Sequence, residues 1–125
     1  MKKLLLAALA AATFPAAAQD APLKVLYQPA HGRNAYLVDK AVEIVLQRPA
    51  FLKAAKADPQ TLVVSVPEME YRVSNDDNVP FDFTLHFVRD GDLVGEAAEN
   101  CTSRKLDDCA DLVASDFTAA AAIHR

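Results

Sequence analysis

"FDFTLHFVRDGDLVGEAA", residues 81–98, is the stretch that decides the fold. Apolar and polar residues alternate along its first half, and a period of two predicts a strand with one buried face. The Asp-Gly pair at Gly91 then predicts a two-residue hairpin turn, because such turns need positive φ angles. We therefore expect two antiparallel strands, the first of which buries the side chains of Phe81, Phe83, Leu85 and Phe87.

The preceding apolar stretch, "TLVVSVPEMEYRV" at residues 61–73, changes phase partway along. Leu62, Val64 and Val66 are even-numbered, whereas Met69, Tyr71 and Val73 are odd-numbered, so strict alternation cannot keep both groups on one face of a sheet. Proline cannot donate to a strand ladder and is suited to a bulge. The pattern therefore predicts one extra residue, and a break in strand pairing, within one residue of Pro67.

A strand and a helix are predicted upstream. "PLKVLYQP", residues 22–29, predicts a short strand, and "NAYLVDKAVEIVLQ", residues 34–47, predicts an amphipathic helix capped by Asn34. Pro49 ends this helix, and a second short helical segment is expected to resume there and to end before Asp58. The predicted buried positions are Leu37 or Val38, Ala41, Val42, Val45 and Leu46, followed by Phe51, Leu52 and Ala55.

The last helix is predicted to begin at about Asp108 and to place one apolar stripe on the sheet. The elements then follow the order β-α-β-β-β-α, an α+β fold. Because short turns join the later strands, we expect a two-layer domain in which an antiparallel meander is covered on one face by two helices. The stripe comprises Ala110, Val113, Phe117, Ala120 and Ala121, with Asp111, Ser115 and Asp116 outside it.

"MKKLLLAALAAATFPAAAQD", residues 1–20, has the order of a secretory signal peptide. A charged start precedes an apolar run far shorter than the roughly 20 residues of a spanning helix, and small residues lead to Ala18. We predict a signal peptide at residues 1–18 and a single domain at residues 19–125. The domain is expected to be periplasmic or secreted, without a membrane span.

The predicted mature chain is acidic. Cleavage removes Lys2 and Lys3, which leaves 11 basic against 17 acidic residues and a formal charge of −6. Nucleic acid and anionic membrane surfaces attract clustered Lys and Arg, so both are poor partners for this chain. We expect a protein partner in the envelope, and the sequence leaves the oligomeric state open.

Cys101 and Cys109 are the only cysteines. Close thiols in an exported chain normally pair, so a disulfide worth about 2 to 3 kcal/mol is expected. A metal site is a second interpretation, although zinc sites usually need four ligands with tighter spacing. A redox pair is a third, because the start of the last helix would favour a thiolate at Cys109, although Asp107 and Asp108 oppose that effect.

The arrangement of these elements resembles small auxiliary domains of bacterial envelope proteins. The similarity lies in a strand such as residues 61–73 followed by a hairpin such as residues 81–98 that runs into a final helix, and it covers about Leu23 to Ala122. The nearest types are the TolB amino-terminal domain and the ABC-transport auxiliary lipoproteins. The resemblance implies an assembly or interaction module without catalysis. The lipid-anchoring cysteine of the auxiliary lipoproteins is not matched, so membrane attachment is not implied.

Candidates for chemistry are few. His31 lies beside Gly32 before a helix start, where backbone amides could hold an anion. His86 and Asp82 share a strand face but lie about 13 Å apart by the strand rise, too far for a hydrogen bond. The sequence therefore predicts no enzyme, no metal site and no cofactor.

The polar face of the predicted meander is the candidate partner-binding surface. We predict an exported non-catalytic binding or assembly module of the bacterial cell envelope. The alternative is a secreted inhibitor of a basic enzyme such as a lysozyme, which the negative charge and the disulfide also fit. The residues predicted to form the face are Glu68, Glu70, Arg72, Asp82, Thr84 and His86.

Processing gives the first test. The exported protein should begin at Gln19, because Ala16 and Ala18 satisfy the small-residue rule for cleavage. Intact-mass measurement and amino-terminal sequencing of protein purified from its native envelope check this. An exported form that retains Met1 would contradict it.

Overall fold

Five strands and two helices form the part of the chain that the computed structural model describes. This part comprises residues 21–30, 35–71 and 78–123, with the backbone alone for residues 68–71. The predicted signal peptide, the Asn34 cap, the His31 site and Arg72 lie outside it. The elements are β1 (Leu23–Tyr27), α1 (Ala35–Leu46), β2 (Phe51–Lys53), β3 (Leu62–Tyr71), β4 (Pro80–Arg89), β5 (Asp92–Thr102), a 3-10 turn (Ser103–Lys105) and α2 (Leu106–Ala121).

The strands form one mixed sheet in the order β2-β1-β3-β4-β5. β1 is parallel to both of its neighbours, while β3, β4 and β5 form an antiparallel meander. α1 connects β1 to β2 as a helical crossover, the usual link between parallel neighbours. Both helices contribute buried residues to one core on one face of the sheet. The predicted α+β class and the helix-covered meander are confirmed.

β2 is an element that the sequence analysis assigned wrongly. The predicted helical segment after Pro49 is instead a three-residue strand at the edge of the sheet, parallel to β1. Two backbone bonds anchor it, from the Leu23 amide to the Ala50 carbonyl at 2.9 Å and from the Ala54 amide to the Val25 carbonyl at 2.8 Å. Phe51 is buried as predicted, whereas Leu52 and Ala55 are exposed. A helix here would have left the outer backbone groups of β1 without these partners.

The phase change in β3 is confirmed as a bulge. The β3–β4 register pairs Ser65 with His86 and then Glu68 with Thr84. Two residues of β3, Val66 and Pro67, therefore oppose a single residue of β4. Before the bulge, even-numbered Val64 pairs with a buried phenylalanine of β4. Beyond it, the odd-numbered residues of β3 pair with the buried phenylalanines. The shift therefore places both halves of β3 on the same face of the sheet.

The β4–β5 hairpin also follows the prediction. Asp90 and Gly91 have φ angles of 52° and 83°, and their neighbours pair directly, as in a two-residue turn. A second register shift in β5 lies at Val94, between the rungs of Phe87 with Gly95 and Val88 with Leu93. The sequence analysis did not anticipate this second bulge.

Phe117 of α2 links the helix layer to the sheet. Its ring contacts Phe51 of β2 and Phe87 of β4 edge to face, with centroid separations of 5.8 and 6.0 Å. The predicted stripe of α2 is otherwise buried as expected, except that Ala121 is only partly covered. In α1 all predicted positions are buried, namely Leu37, Val38, Ala41, Val42, Val45 and Leu46.

A polar contact fixes α1 against the end of β1. The Tyr27 hydroxyl donates to the Asp39 carboxylate at 2.6 Å, and the Ala30 amide donates to the same oxygen at 3.2 Å. Burial and the neighbouring Asp39 charge raise the pKa of Tyr27, so the phenol stays a hydrogen-bond donor. This pair orients the start of the crossover helix. Both of its residues precede the meander in the sequence.

The bulge can be tested by deletion. Removing Pro67 deletes the extra residue, so one half of β3 must turn its apolar positions to solvent. We expect a loss of at least about 2 kcal/mol in the free energy of unfolding, in the range of core disruptions. Urea denaturation measures it. Deletion of exposed Lys56, in the loop between β2 and β3, is the control, and an equal effect of both deletions would show that the bulge does not carry the register.

Candidate functional site

The sheet face opposite the helices is the candidate site. Asp82, Thr84 and His86 are half-buried and alternate with the buried phenylalanines and leucine of β4. Their partners on β5 are exposed, so this surface reaches solvent at the edge of the sheet. Within residues 21–30, 35–71 and 78–123, no helix lies over it. We call it the open face.

The register brings five of the six predicted site residues onto neighbouring rungs. Glu68 pairs with Thr84 on the first rung beyond the bulge, and Glu70 pairs with Asp82 on the third. His86 pairs with Ser65 on the other side of it. The side chains of Glu68 and Glu70, and all of Arg72, lie outside the described part of the chain. That this face binds a partner stays a prediction.

Two polar pairs cross from β4 to β5 on this face. His86 Nε2 lies 2.9 Å from Glu96 Oε2, and the Asn100 side-chain amide donates to the Asp82 carboxylate. His86 thus has a carboxylate partner on the next strand, which the sequence analysis did not predict. The sequence alone could not name Glu96, because the bulge at Val94 displaces every rung beyond it by one residue.

The open face also carries an apolar row that the sequence analysis missed. Consecutive rungs join Leu26 to Val63, Val63 to Val88, and Val88 to Leu93, so four aliphatic residues cross four strands in one line. We call these four residues the aliphatic row. The sequence did contain a signal for this row. Val63 in β3 and Val88 in β4 are apolar, although they stand at positions where alternation predicts a polar, outward-facing side chain. These were not singled out because only register shows that they meet.

The disulfide between Cys101 and Cys109 is present, as predicted. Both residues are buried, and their Cα atoms lie 5.6 Å apart. The bond joins the end of β5 to the first turn of α2, on the helix side of the sheet. With both sulfurs bonded to each other, neither the metal nor the thiolate interpretation applies to this state.

A carboxyl pair lies between β5 and α2, which corrects the expectation that Asp116 faces solvent. Glu99 shares a rung with buried Phe83, so it projects to the helix side, where it meets the half-covered Asp116. Burial first, then the hydrogen bond to Glu99 and its charge, raise the pKa of Asp116 to about 8. The side chain therefore stays protonated at neutral pH and can donate to Glu99.

Two shallow depressions are present among the residues that the structure describes, one along residues 103–108 and one between the Arg48–Phe51 turn and α2. Neither is lined by a histidine. In the described ranges, no cluster of three or more His, Cys, Asp or Glu side chains could hold a metal ion, and no helix has the length and apolar character needed to cross a membrane.

Comparison with known proteins shows likeness in fold alone. No family model matches the chain, and no curated protein matches it. Among solved structures it is similar to a minor lipoprotein from Acinetobacter baumannii, with a TM-score of 0.52 and 15% identity over 78% of this chain and 94% of that one. It is also similar to a dodecameric PelC variant from Paraburkholderia phytofirmans, with a TM-score of 0.50 and 16% identity over 82% and 88%.

A third solved structure, a Xanthomonas campestris protein of the DUF330 family, has a TM-score of 0.47 and 9% identity over 79% of this chain and 82% of that one. The resemblance drawn from the sequence is supported in its coarser form, because the chain shares its fold with a bacterial lipoprotein. The finer resemblance to the TolB amino-terminal domain has no support among these three structures and stays a prediction.

The carboxyl pair predicts how stability depends on pH. Because the folded protein holds the Asp116 proton up to about pH 8, whereas the unfolded chain releases it at the ordinary aspartate pKa of 3.8, the stability contributed by this group falls as pH rises between these values. Asp116→Asn cannot ionise and should remove that slope. Its melting temperature, relative to the natural protein, should be higher at pH 9 than at pH 5.

The control for this experiment is Asp107→Asn, an exposed carboxyl on the same helix. Its melting temperature relative to the natural protein should not rise in this way between pH 5 and pH 9. Glu99→Gln should reproduce part of the Asp116→Asn effect, because it removes the neighbouring negative charge. A parallel pH profile for Asp116→Asn and the natural protein would contradict the assignment.

Proposed function

We propose that this protein is a non-catalytic binding or assembly module exported to the bacterial cell envelope. The observation that carries the proposal is the open face, a broad sheet surface with paired polar side chains at one end and the aliphatic row at the other. Small-molecule sites are typically concave and enclose their ligand. A flat surface with both apolar and polar groups suits contact with another protein.

Two further observations support an envelope setting. The Cys101–Cys109 disulfide fits an oxidising compartment, where such bonds form and persist. The fold is shared with a bacterial lipoprotein and with a PelC variant that forms a dodecamer. A fold that serves in a lipoprotein and in a multisubunit assembly is a suitable scaffold for an assembly module.

A secreted inhibitor of a basic enzyme is the second candidate. The acidic side chains of Asp82 and Glu96 on the open face favour it, because they would attract a cationic target. The two candidates differ in the source of the partner. An assembly module binds a protein of the same cell, whereas an inhibitor binds a foreign enzyme such as a lysozyme.

Crosslinking capture from the native periplasm tests the proposal. We expect a discrete envelope protein to crosslink to the mature chain, and the double variant Asp82→Lys/Glu96→Lys to lose most of this capture. Both residues lie on the outer side of the sheet, so their substitution removes two surface polar pairs and leaves the core contacts in place. A thermal melt verifies that the variant is folded.

The matched control is Asp107→Lys/Asp108→Lys, which changes the net charge equally but on exposed residues of α2. It should retain capture. Unchanged capture by the folded open-face variant would exclude this face. Capture of added lysozyme with inhibition of its lytic activity, in place of an envelope protein, would favour the inhibitor. Turnover of a periplasmic substrate by the purified chain would contradict a non-catalytic role.

A further inference from the structure

We infer that the aliphatic row is the docking line for a cationic partner, a protein segment whose own apolar side chains are flanked by Lys and Arg. The inference rests on the proposed function and specifies the chemistry of its partner. Three features of the open face lead to it: the continuity of the row, its independence from the core, and the sign of the charges around it.

The row is continuous because register places its members side by side. Leu26, Val63, Val88 and Leu93 occupy successive strands, and three strand spacings give a line about 14 Å long. Leu52 of β2 lies on the same face, but its rung partner is Lys24 and not a member of the row. Single exposed apolar residues are ordinary, but a contiguous line of them marks an interaction site.

The row does not serve the hydrophobic core. None of its four residues is among the described apolar side chains that are buried in the core or packed against it. Leu93 is 51% exposed, and the other three are partly exposed on the side away from both helices. Folding therefore leaves this apolar surface in contact with water, and a partner that covers it gains the free energy of its burial.

The charges around the row are acidic. At one side, the hairpin turn carries exposed Asp90, whereas Asp92 shares the rung of Arg89, whose side chain reaches the helix side. At the other side, the next rung of the open face carries Glu96, and Asp82 lies two open-face rungs beyond it.

Among the residues that the structure describes, Lys24, His86 and Arg89 are the basic groups nearest to the row, and each has a partner. Lys24 Nζ lies 3.0 Å from Asp58 Oδ2, and His86 contacts Glu96. Arg89 Nη1 donates to the carbonyl of Ala121 at the end of α2, on the helix side. An apolar line between acidic flanks is complementary to an apolar line between basic flanks.

A second copy of this chain is a poorer occupant. Two open faces in contact would bring their acidic flanks together, and like charges across an interface cost affinity. The same argument excludes an acidic amphipathic segment. The charge pattern thus selects a cationic partner over the other occupants of an apolar surface.

Defined peptides test the inference with the mature chain. The probe is an amphipathic helical peptide with a Leu row flanked by Lys on both sides. The comparison peptides carry Glu in place of Lys, or Ser in place of Leu. In fluorescence anisotropy the Lys-flanked Leu peptide should bind at least about tenfold more tightly than either, and raising NaCl from about 50 to about 300 mM should weaken binding through charge screening.

Two similarly exposed leucines provide a matched pair of variants. Leu93 in the row is 51% exposed, and Leu112 on α2 is 45% exposed. Leu93→Gln combined with the isosteric Val88→Thr should weaken peptide binding at least about tenfold, whereas Leu112→Gln should leave it within about twofold. Thermal melts of all variants verify folding, and Leu93→Gln alone serves if the double variant fails to fold.

The contrary outcomes are distinct. Equal binding of the Glu-flanked peptide, or equal loss with Leu112→Gln, would overturn the inference. Sedimentation that shows dimers lost on Leu93→Gln would assign the row to a second copy. A chain that captures an envelope protein through Asp82 and Glu96, yet does not bind the Lys-flanked peptide, would leave the proposed function standing and overturn only the cationic partner.

Discussion

Two residues of β3, Val66 and Pro67, face one residue of β4, and the rest of the sheet depends on this mismatch. Side chains along a strand alternate between faces, so a strand whose apolar phase changes can bury both halves only if one residue is added. Through the bulge, Val64 and the odd-numbered half of β3 share the phenylalanine face of β4. The same shift places the polar positions of both strands on the opposite side of the sheet, which is the open face.

The two helices pack on the other side of the sheet and therefore leave this face uncovered. α2 is attached to the sheet at three points: the disulfide at Cys109, the edge-to-face contacts of Phe117, and the carboxyl pair of Asp116 with Glu99. All three lie on the inner surface. Because α1 packs beside α2 on that surface, the polar pairs and the aliphatic row remain available to a partner.

The open face combines two kinds of surface that act differently in association. In the proposed role, polar and charged groups such as the His86–Glu96 pair would orient an approaching partner and select its charge. Apolar side chains such as Val88 and Leu93 provide the free energy when water is removed from them. The polar groups lie at one end of the open face and the apolar groups at the other. A partner in the proposed role would have to match this arrangement in both charge and shape.

The sequence by itself determined the strands, helices and bulge whose signals are local. Alternation around Phe83, the Asp-Gly turn at Gly91 and the proline at the phase change each predict structure from neighbouring residues. The spacing of Cys101 and Cys109, in a chain predicted to be exported, predicts their bond. Tertiary structure decided the rest. Residues 51–53 became a strand because the edge of β1 offered backbone partners. The aliphatic row and the Asp116–Glu99 pair arose because register and helix packing join residues that are distant in the chain, and a second bulge in β5 sets that register.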